Sequence, residues 1–308
     1  MAITAAVIAE LRRQFGDQVR ENVPLAPRTT MGVGGPARLY LVPRSREELE
    51  RLHRRLRELG LPAFFLGGGA NVIVADRGVS RQAVISLVEH LRGIEIVAET
   101  DRDFALVAEA GVRLSVLVAF CRRHGAGGLE FLAGIPGSVG GAVAMNAGAF
   151  GGEIGDRLHS VDLCRADEGL YTVERCRLPM AYRHGGLPAG AQVVAVRLRL
   201  EAREPAAVEA RMAACREQRR RRQPVGQPTC GSVFKNPPGD YAGRLIEAAG
   251  CKGWRRGGAR VAAAHANFII AEPGATAADV FALMDMVREK VAVEFGVELQ
   301  EEVVRLGE

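Results

Sequence analysis

Phe131–Gly152 reads FLAGIPGSVGGAVAMNAGAFGG and carries no charged side chain. A helix that crosses a bilayer needs about 20 apolar residues, so this stretch poses a choice between a membrane protein and a water-soluble one. Its glycines decide the matter. Pro136 and seven glycines (134, 137, 140, 141, 148, 151 and 152) would break a helix exposed to lipid, where every backbone group must be satisfied internally. The stretch is backbone built to approach something closely.

A second glycine-rich segment lies upstream. LGGGANVIVAD, Leu66–Asp76, sets Gly67, Gly68 and Gly69 between two strand-like runs. Successive glycines permit unusual φ angles and let neighbouring N–H groups face an anion. The order is not that of a GxGxxG fingerprint, and no helix follows directly. A plain turn explains the triplet equally well. Tight helix–sheet packing through Gly and Ala is the alternative for Phe131–Gly152. Two such loops in one domain nevertheless suggest a dinucleotide gripped from two sides.

The 308 residues allow two or three modest domains. A hydrophobic content of 48% supports buried cores, and the net charge of +5 suits acidic small molecules such as phosphates. Nucleic acid is not expected. The one basic run, Arg219–Arg222 with Arg216 before it, has no interleaved aromatics and reads as the solvated end of a helix. Six scattered cysteines form no CxxC pair, so no zinc or redox dithiol is expected. Reduced thiols and the absence of a signal-like N-terminus fit a cytoplasmic protein.

Helices are expected over residues 1–16, over Ser45–Gly60 with Ser45 and Glu48 as a capping box, over Arg113–Gly125, and from Thr276 to Gly296. HSVDLCRA and LYTVERC form a hairpin about Asp167–Gly169, and QVVAVRLRLEAR a long strand. HANFIIAE and VELQEEVVRLG read as further strands. The texture changes near Pro205. The expected organisation is α+β: residues 1–204 as one region of two lobes split near 75, 205–298 as a smaller α+β unit, and 299–308 as a closing strand.

TTMGVGGPA, LGGGANVIVAD, GLEFLAGIPGSVGGAVAMNAGAFGGEI, RRRRQPVGQPTCGSVFKNPPGDYAGRLIEAAGCKGW, GGARVAAAHANFII and LQEEVVRLG, in this order, resemble the UDP-N-acetylenolpyruvoylglucosamine reductase family. The resemblance covers nearly the whole chain. It implies an FAD-binding domain of the vanillyl-alcohol-oxidase type followed by a substrate domain, with FAD bound non-covalently and NADPH as hydride donor. It also implies a nucleotide-sugar substrate, no membrane span, and a monomer or weak oligomer. The cofactor would lie on Gly67, Gly68, Gly69, Ala70 and Asn71, and on Gly134, Ile135, Pro136, Gly137, Ser138, Gly140, Gly141, Asn146 and Gly148.

By the same resemblance NADPH reduces FAD, the reduced flavin gives a hydride to C3 of an enolpyruvyl ether, and a proton is added at C2. Charge develops on the substrate carboxylate and needs cationic and hydrogen-bonding partners, while a separate acid must serve C2. The matching positions are Arg183 for the charge, Ser232 for the proton and Glu302 for the carboxylate or a proton relay. Tyr182, Lys235 and Asn236 would line the substrate. His265 and Asn267 are read as structural or substrate-adjacent.

The sequence departs from the family pattern at two places. Gly185 stands where a serine follows the arginine, and Gln300 and Val304 alter the C-terminal motif. Glu301 adjoins Glu302, and strand neighbours face opposite sides, so one of the two faces the site; Glu302 is preferred. A different FAD oxidoreductase of this fold, acting on an alcohol or hydroxy acid, would explain the glycine loops but not GSVFKNPP. A nucleotide-sugar binding protein without turnover would not need Arg183, Ser232 and Glu302 together.

Overall fold

A computed structural model of the chain describes residues 3–308. Helices and strands alternate irregularly in an α+β architecture, and two compact units result. The first holds residues up to Glu21 together with Leu39–Gly68 and Arg81–Gln218; the second holds Asn22–Arg38, Gly69–Ser80 and Arg219–Glu308. This division differs from boundaries near 75 and 205. Two short upstream segments belong by contact to the C-terminal unit, and local composition carries no trace of such a long-range assignment.

In the first unit, Ala83–Ser86 pairs in parallel with Ala63–Leu66 on one side and with Tyr40 and Leu41 of strand Pro36–Leu41 on the other. Helix Arg46–Glu58 contributes Leu49, Leu52 and Leu56, all fully buried on one helical face. Ser45 Oγ accepts the Glu48 N–H at 3.2 Å. The Glu48 carboxylate reaches one residue further back than a capping box requires, to the Arg44 N–H at 2.8 Å.

An antiparallel sheet follows in the order Gly169–Glu174, Leu158–Arg165, Gln192–Ala202, Asp103–Glu109, Ile94–Glu99. Arg165 opposite Gly169 closes the expected hairpin through Ala166, Asp167 and Glu168. Gln192–Ala202 is the middle strand; Val193–Val196 is buried without alternation because both faces are covered. Helix Val139–Ala144, cut from the glycine-rich stretch, lies against it. A side chain at Gly140 would stand 2.9 Å from Ala110 Cβ, so this glycine lets the helix pack closely on the turn that follows strand Asp103–Glu109.

In the second unit, Val304–Leu306 pairs in parallel with Val72–Val74. Arg255–Arg256, Ala259–Val261 and Ile269–Ala271 form a small antiparallel sheet. Helix Ala277–Phe295 has the expected Thr276 cap, reciprocated by Asp279, and Gly296 in the left-handed region at its end. Asp76 adds a second cap: its carboxylate accepts the N–H groups of Ala277 (2.8 Å) and Ala278 (2.9 Å).

Three expectations change in detail. HANFIIAE is a strand only from Ile269, and VELQEEVVRLG only from Val304. Arg219, read as part of a solvated run, is buried, and its Nη1 donates to Gln223 Oε1 at 2.9 Å.

Candidate active site

The first unit presents a crevice lined by Leu66, Gly67, Ile85, Leu87, Ser138, Gly140, Gly141, Leu187 and Val193, among others. The two glycine loops meet here. A side chain on Gly67 would press on Ser138 Oγ, and one on Gly68 would fall on the backbone of Gly137. Two backbones therefore run in contact, which only glycine permits. Gly134 and Gly137 have φ of +83° and +129°, which leaves Ile135 and Pro136 on a turn no other residue pair would bound as cheaply.

Ser138 stands at the N-cap of helix Val139–Ala144, the place where serine ordinarily caps. It does not cap: its side chain makes no such bond. The hydroxyl is buried and has no hydrogen-bond partner among the described residues. A buried hydroxyl without a partner costs free energy. Beside the glycine cradle, it fits a polar ligand group of the kind a dinucleotide carries. Gly141 adds room, since a Cβ there would meet only Ser138 Oγ at an ordinary 3.7 Å. The residues therefore suit FAD.

Tyr182 and Arg183 sit at the tip of a two-residue turn closed by both hydrogen bonds between Ala181 and His184, each 2.9 Å. Arg183 has φ of +55°, a left-handed conformation that costs an arginine free energy and marks functional sites. Its guanidinium carbon lies 4.9 Å from the Tyr182 ring centre, and its Nη1 donates to the Gly148 carbonyl at 3.4 Å. Gly185 fits flush against the carbonyls of Val143 and Ala144, where a Cβ would collide. That contact accounts for glycine at the position where the family pattern has serine.

Asn146 is fully engaged. Its Nδ2 donates to Glu153 Oε2 (2.7 Å) and to the Ala181 carbonyl (3.2 Å), while Oδ1 accepts the Gly155 N–H (3.1 Å). It anchors the Tyr182–Arg183 turn from below. Sequence reasoning placed it among the cofactor-binding residues and gave no sign of this bracing.

In the second unit, Ser232 and Lys235 flank Val233 and Phe234, whose side chains are both buried (1% and 0% exposed). Ser232 bridges Phe268, and Phe234 bridges Glu301, so the segment runs between two others. Glu302 N–H donates to the Val233 carbonyl at 2.9 Å and Lys235 N–H to the Gln300 carbonyl at 2.8 Å. Asn71 holds the same C-terminal segment: its Nδ2 donates to the Glu302 carbonyl (3.0 Å) and its own carbonyl accepts the Val304 N–H (2.9 Å). Gly69, with φ of +66°, packs on the Arg28 carbonyl, and its own carbonyl accepts the Thr30 N–H at 3.0 Å. Asn236 Oδ1 accepts the Ala242 N–H at 3.1 Å, at the start of helix Ala242–Ala248.

The two C-terminal glutamates precede the closing strand Val304–Leu306 and have different surroundings. Glu301 is held by Arg288 (3.0 Å) and Arg305 (2.5 Å). Glu302 lies by Cys230, whose thiol is pushed up to about 12, by burial first and by the Glu302 carboxylate after it. Cys230 is therefore a neutral thiol beside the candidate proton donor. Among the described residues no cluster of His, Cys, Asp and Glu could hold a metal ion, and no helix is long and apolar enough to cross a membrane.

Comparisons with known proteins bear on both units. A family model described as "UDP-N-acetylenolpyruvoylglucosamine reductase, C-terminal domain" matches residues 223–306, and one described as "FAD binding domain" matches residues 37–174. The UDP-N-acetylenolpyruvoylglucosamine reductase of Moorella thermoacetica is 46% identical over 98% of this chain and 98% of its own. That of Myxococcus xanthus is 41% identical over 99% of this chain and 98% of its own. The crystal structure of the corresponding reductase from Thermus caldophilus superposes with a TM-score of 0.78 at 37% identity, over 94% of this chain and 99% of that one.

Proposed function

This chain belongs to the UDP-N-acetylenolpyruvoylglucosamine reductase family, and we propose on that footing which of its residues carry the reaction. The enzyme is an FAD-containing oxidoreductase that uses NADPH to reduce UDP-N-acetylglucosamine enolpyruvate to UDP-N-acetylmuramate, a step of peptidoglycan precursor synthesis. Bound FAD would supply the hydride chemistry between NADPH and C3 of the substrate.

The chain's own residues manage charge and protons. Gly67, Gly68, Gly69, Ala70 and Asn71, with Gly134–Ser138, Gly140, Gly141, Asn146 and Gly148, are assigned to the cofactor, by contact or by shaping the loops beside it. Ser138 Oγ supplies a hydrogen bond that the protein leaves unused. Arg183 balances the negative charge that grows on the substrate carboxylate, and the Tyr182 ring and the Gly148 carbonyl support its guanidinium before substrate arrives. Ser232 delivers the proton to C2. A serine is a poor acid, but the acceptor is an enediolate carbon basic enough to take its proton. Glu302 hydrogen-bonds the carboxylate region or returns the proton to Ser232; Glu301, committed to two arginines, does not. Tyr182, Lys235 and Asn236 line the substrate, Lys235 as a compact charge with movable donors.

In functional terms residues 1–204 serve the cofactor, and 205–298 with the closing 299–308 serve the substrate. A cytoplasmic monomer or weak oligomer completes the proposal. The observation that carries the cofactor assignment is the partnerless Ser138 hydroxyl in a cradle of glycines. Anaerobic titration tests the whole. NADPH should bleach the bound flavin, and the enolpyruvyl nucleotide should restore its colour without oxygen. Protein that takes up no FAD on reconstitution, or reduced flavin that the nucleotide leaves bleached, overturns the proposal.

A further inference from the structure

The segment that carries Ser232 and Lys235 has a third partner. Asn267 is 2% exposed and touches the segment through three hydrogen bonds. Its backbone carbonyl accepts the Val233 N–H at 2.9 Å. Its Oδ1 accepts the Phe234 N–H at 3.0 Å, and its Nδ2 donates to the Phe234 carbonyl at 2.8 Å. The side-chain amide thus closes a ring with both backbone groups of one residue, as a neighbouring strand would. With Glu302 on the Val233 carbonyl and Gln300 on the Lys235 N–H, every backbone donor and acceptor from Val233 N to Lys235 N is used.

We propose that Asn267 is a positioning residue for the substrate-reducing half of the reaction: its amide fixes the Phe234 backbone and so the places of Ser232 and Lys235 on either side. The proposal rests on the assignment of Ser232 as proton donor made above. At neutral pH an amide offers an acceptor and a donor side by side in a plane without needing a proton from solvent. A carboxylate lacks the donor, and an aliphatic residue lacks both. Val233 and Phe234 hold the segment by burial, yet burial alone tolerates small slides. A misplacement of about 1 Å can cost about 100-fold in rate. The amide ring removes that freedom because a slide would strand two buried backbone groups. Asn267 is itself set by His265, whose Nδ1 accepts its N–H at 3.3 Å.

Full-length, FAD-loaded Asn267→Asp and Asn267→Ala are compared with Ser232→Ala by stopped flow. In Asn267→Asp, reduction of flavin by NADPH should stay within about twofold of the parent, and reoxidation by the enolpyruvyl nucleotide should slow by about 10-fold or more. Amide exchange of residues 232–235 should quicken while the rest of the chain keeps its protection. A protonated aspartic acid regains the donor to the Phe234 carbonyl. The reoxidation defect of Asn267→Asp, taken as a ratio to the parent, should therefore shrink as pH falls. The defect of Asn267→Ala should not. Parent-like reoxidation in either variant, equal slowing of both half-reactions, or a ratio flat with pH in the Asp variant overturns the role of Asn267. Parent-like reoxidation in Ser232→Ala instead overturns the serine assignment, and the exchange data still report whether Asn267 holds the segment.

Discussion

The cradle of the first unit and the serine segment of the second solve opposite problems. At Gly67, Gly68, Gly137 and Gly141 the design works by omission: side chains are missing, so that backbone can meet backbone and, on the proposed assignment, the cofactor has room. At Val233–Phe234 it works by saturation: every backbone group is bonded and two side chains are buried, so that Ser232 and Lys235 are held still. A cofactor that stays bound through turnover needs a fitted surface. A proton transfer needs one atom in one place. Substitutions in the first region should therefore act on binding and stability, and those in the second on rate.

The largest effect is expected at Gly68. A β-branched side chain there would be driven into the Gly137 backbone, so Gly68→Val should lose FAD altogether and lower the melting temperature. The new side chain would force the two glycine loops apart, so stability and cofactor should be lost together. Full flavin occupancy in purified Gly68→Val would break the contrast at its first term.

Ser232→Ala comes next and tests the second term. Flavin reduction by NADPH should proceed at nearly the parent rate, while reoxidation by substrate slows by about 100-fold or more, roughly 2.7 kcal/mol of barrier. Ser232→Cys should retain part of the rate, because a thiol can donate from nearly the same place. Equal slowing of both half-reactions would mean that the serine shapes the site instead of donating a proton.

Ser138→Ala sharpens the first term without steric damage. It removes a buried hydroxyl that has no partner in the protein. The apoprotein should be as stable as the parent or slightly more so, because an unsatisfied polar group has gone. FAD should bind about five- to tenfold more weakly, the worth of one hydrogen bond of about 1 kcal/mol. Isothermal titration of the apoprotein and its thermal melt read both. Unchanged affinity would show that the hydroxyl does not meet the cofactor.

The smallest effect concerns pH. The imidazole of His265 is held below its ordinary value by burial and then by Lys252, with Glu247 opposing. The folded state therefore resists a proton that the unfolded chain accepts below about pH 6.5. Stability from this group is complete above that pH and is lost as pH falls further toward the lower folded value. His53 in the first unit, also lowered by burial, adds to the same slope. Between pH 7 and 5, His265→Asn should flatten the decline of stability and keep the amides of residues 232–235 protected. An unchanged slope of melting temperature against pH would show that His265 does not govern the segment.

Much of this was legible in the sequence because it is local. Ser45, Thr276 and Gly296 announce helix ends through their own hydrogen bonds and φ angles, and they stand at those ends. The density of glycine in Phe131–Gly152 excluded a membrane helix and required close approach of backbone. Motif order led to the family. Tertiary structure decided the rest. That Glu301 is spent on Arg288 and Arg305 follows from helix Ala277–Phe295 and the closing strand each bringing one arginine to it. HANFIIAE begins as a turn closed by the Phe268 N–H on the His265 carbonyl, and the Asn267 amide in that turn meets both backbone groups of Phe234. That Asn146 braces an arginine turn 35 residues away follows from a single bond to Ala181. Local signals are written in a residue and its near neighbours. A side-chain amide buried between distant segments has the same letter wherever it stands, and only the packing that surrounds it assigns its partners.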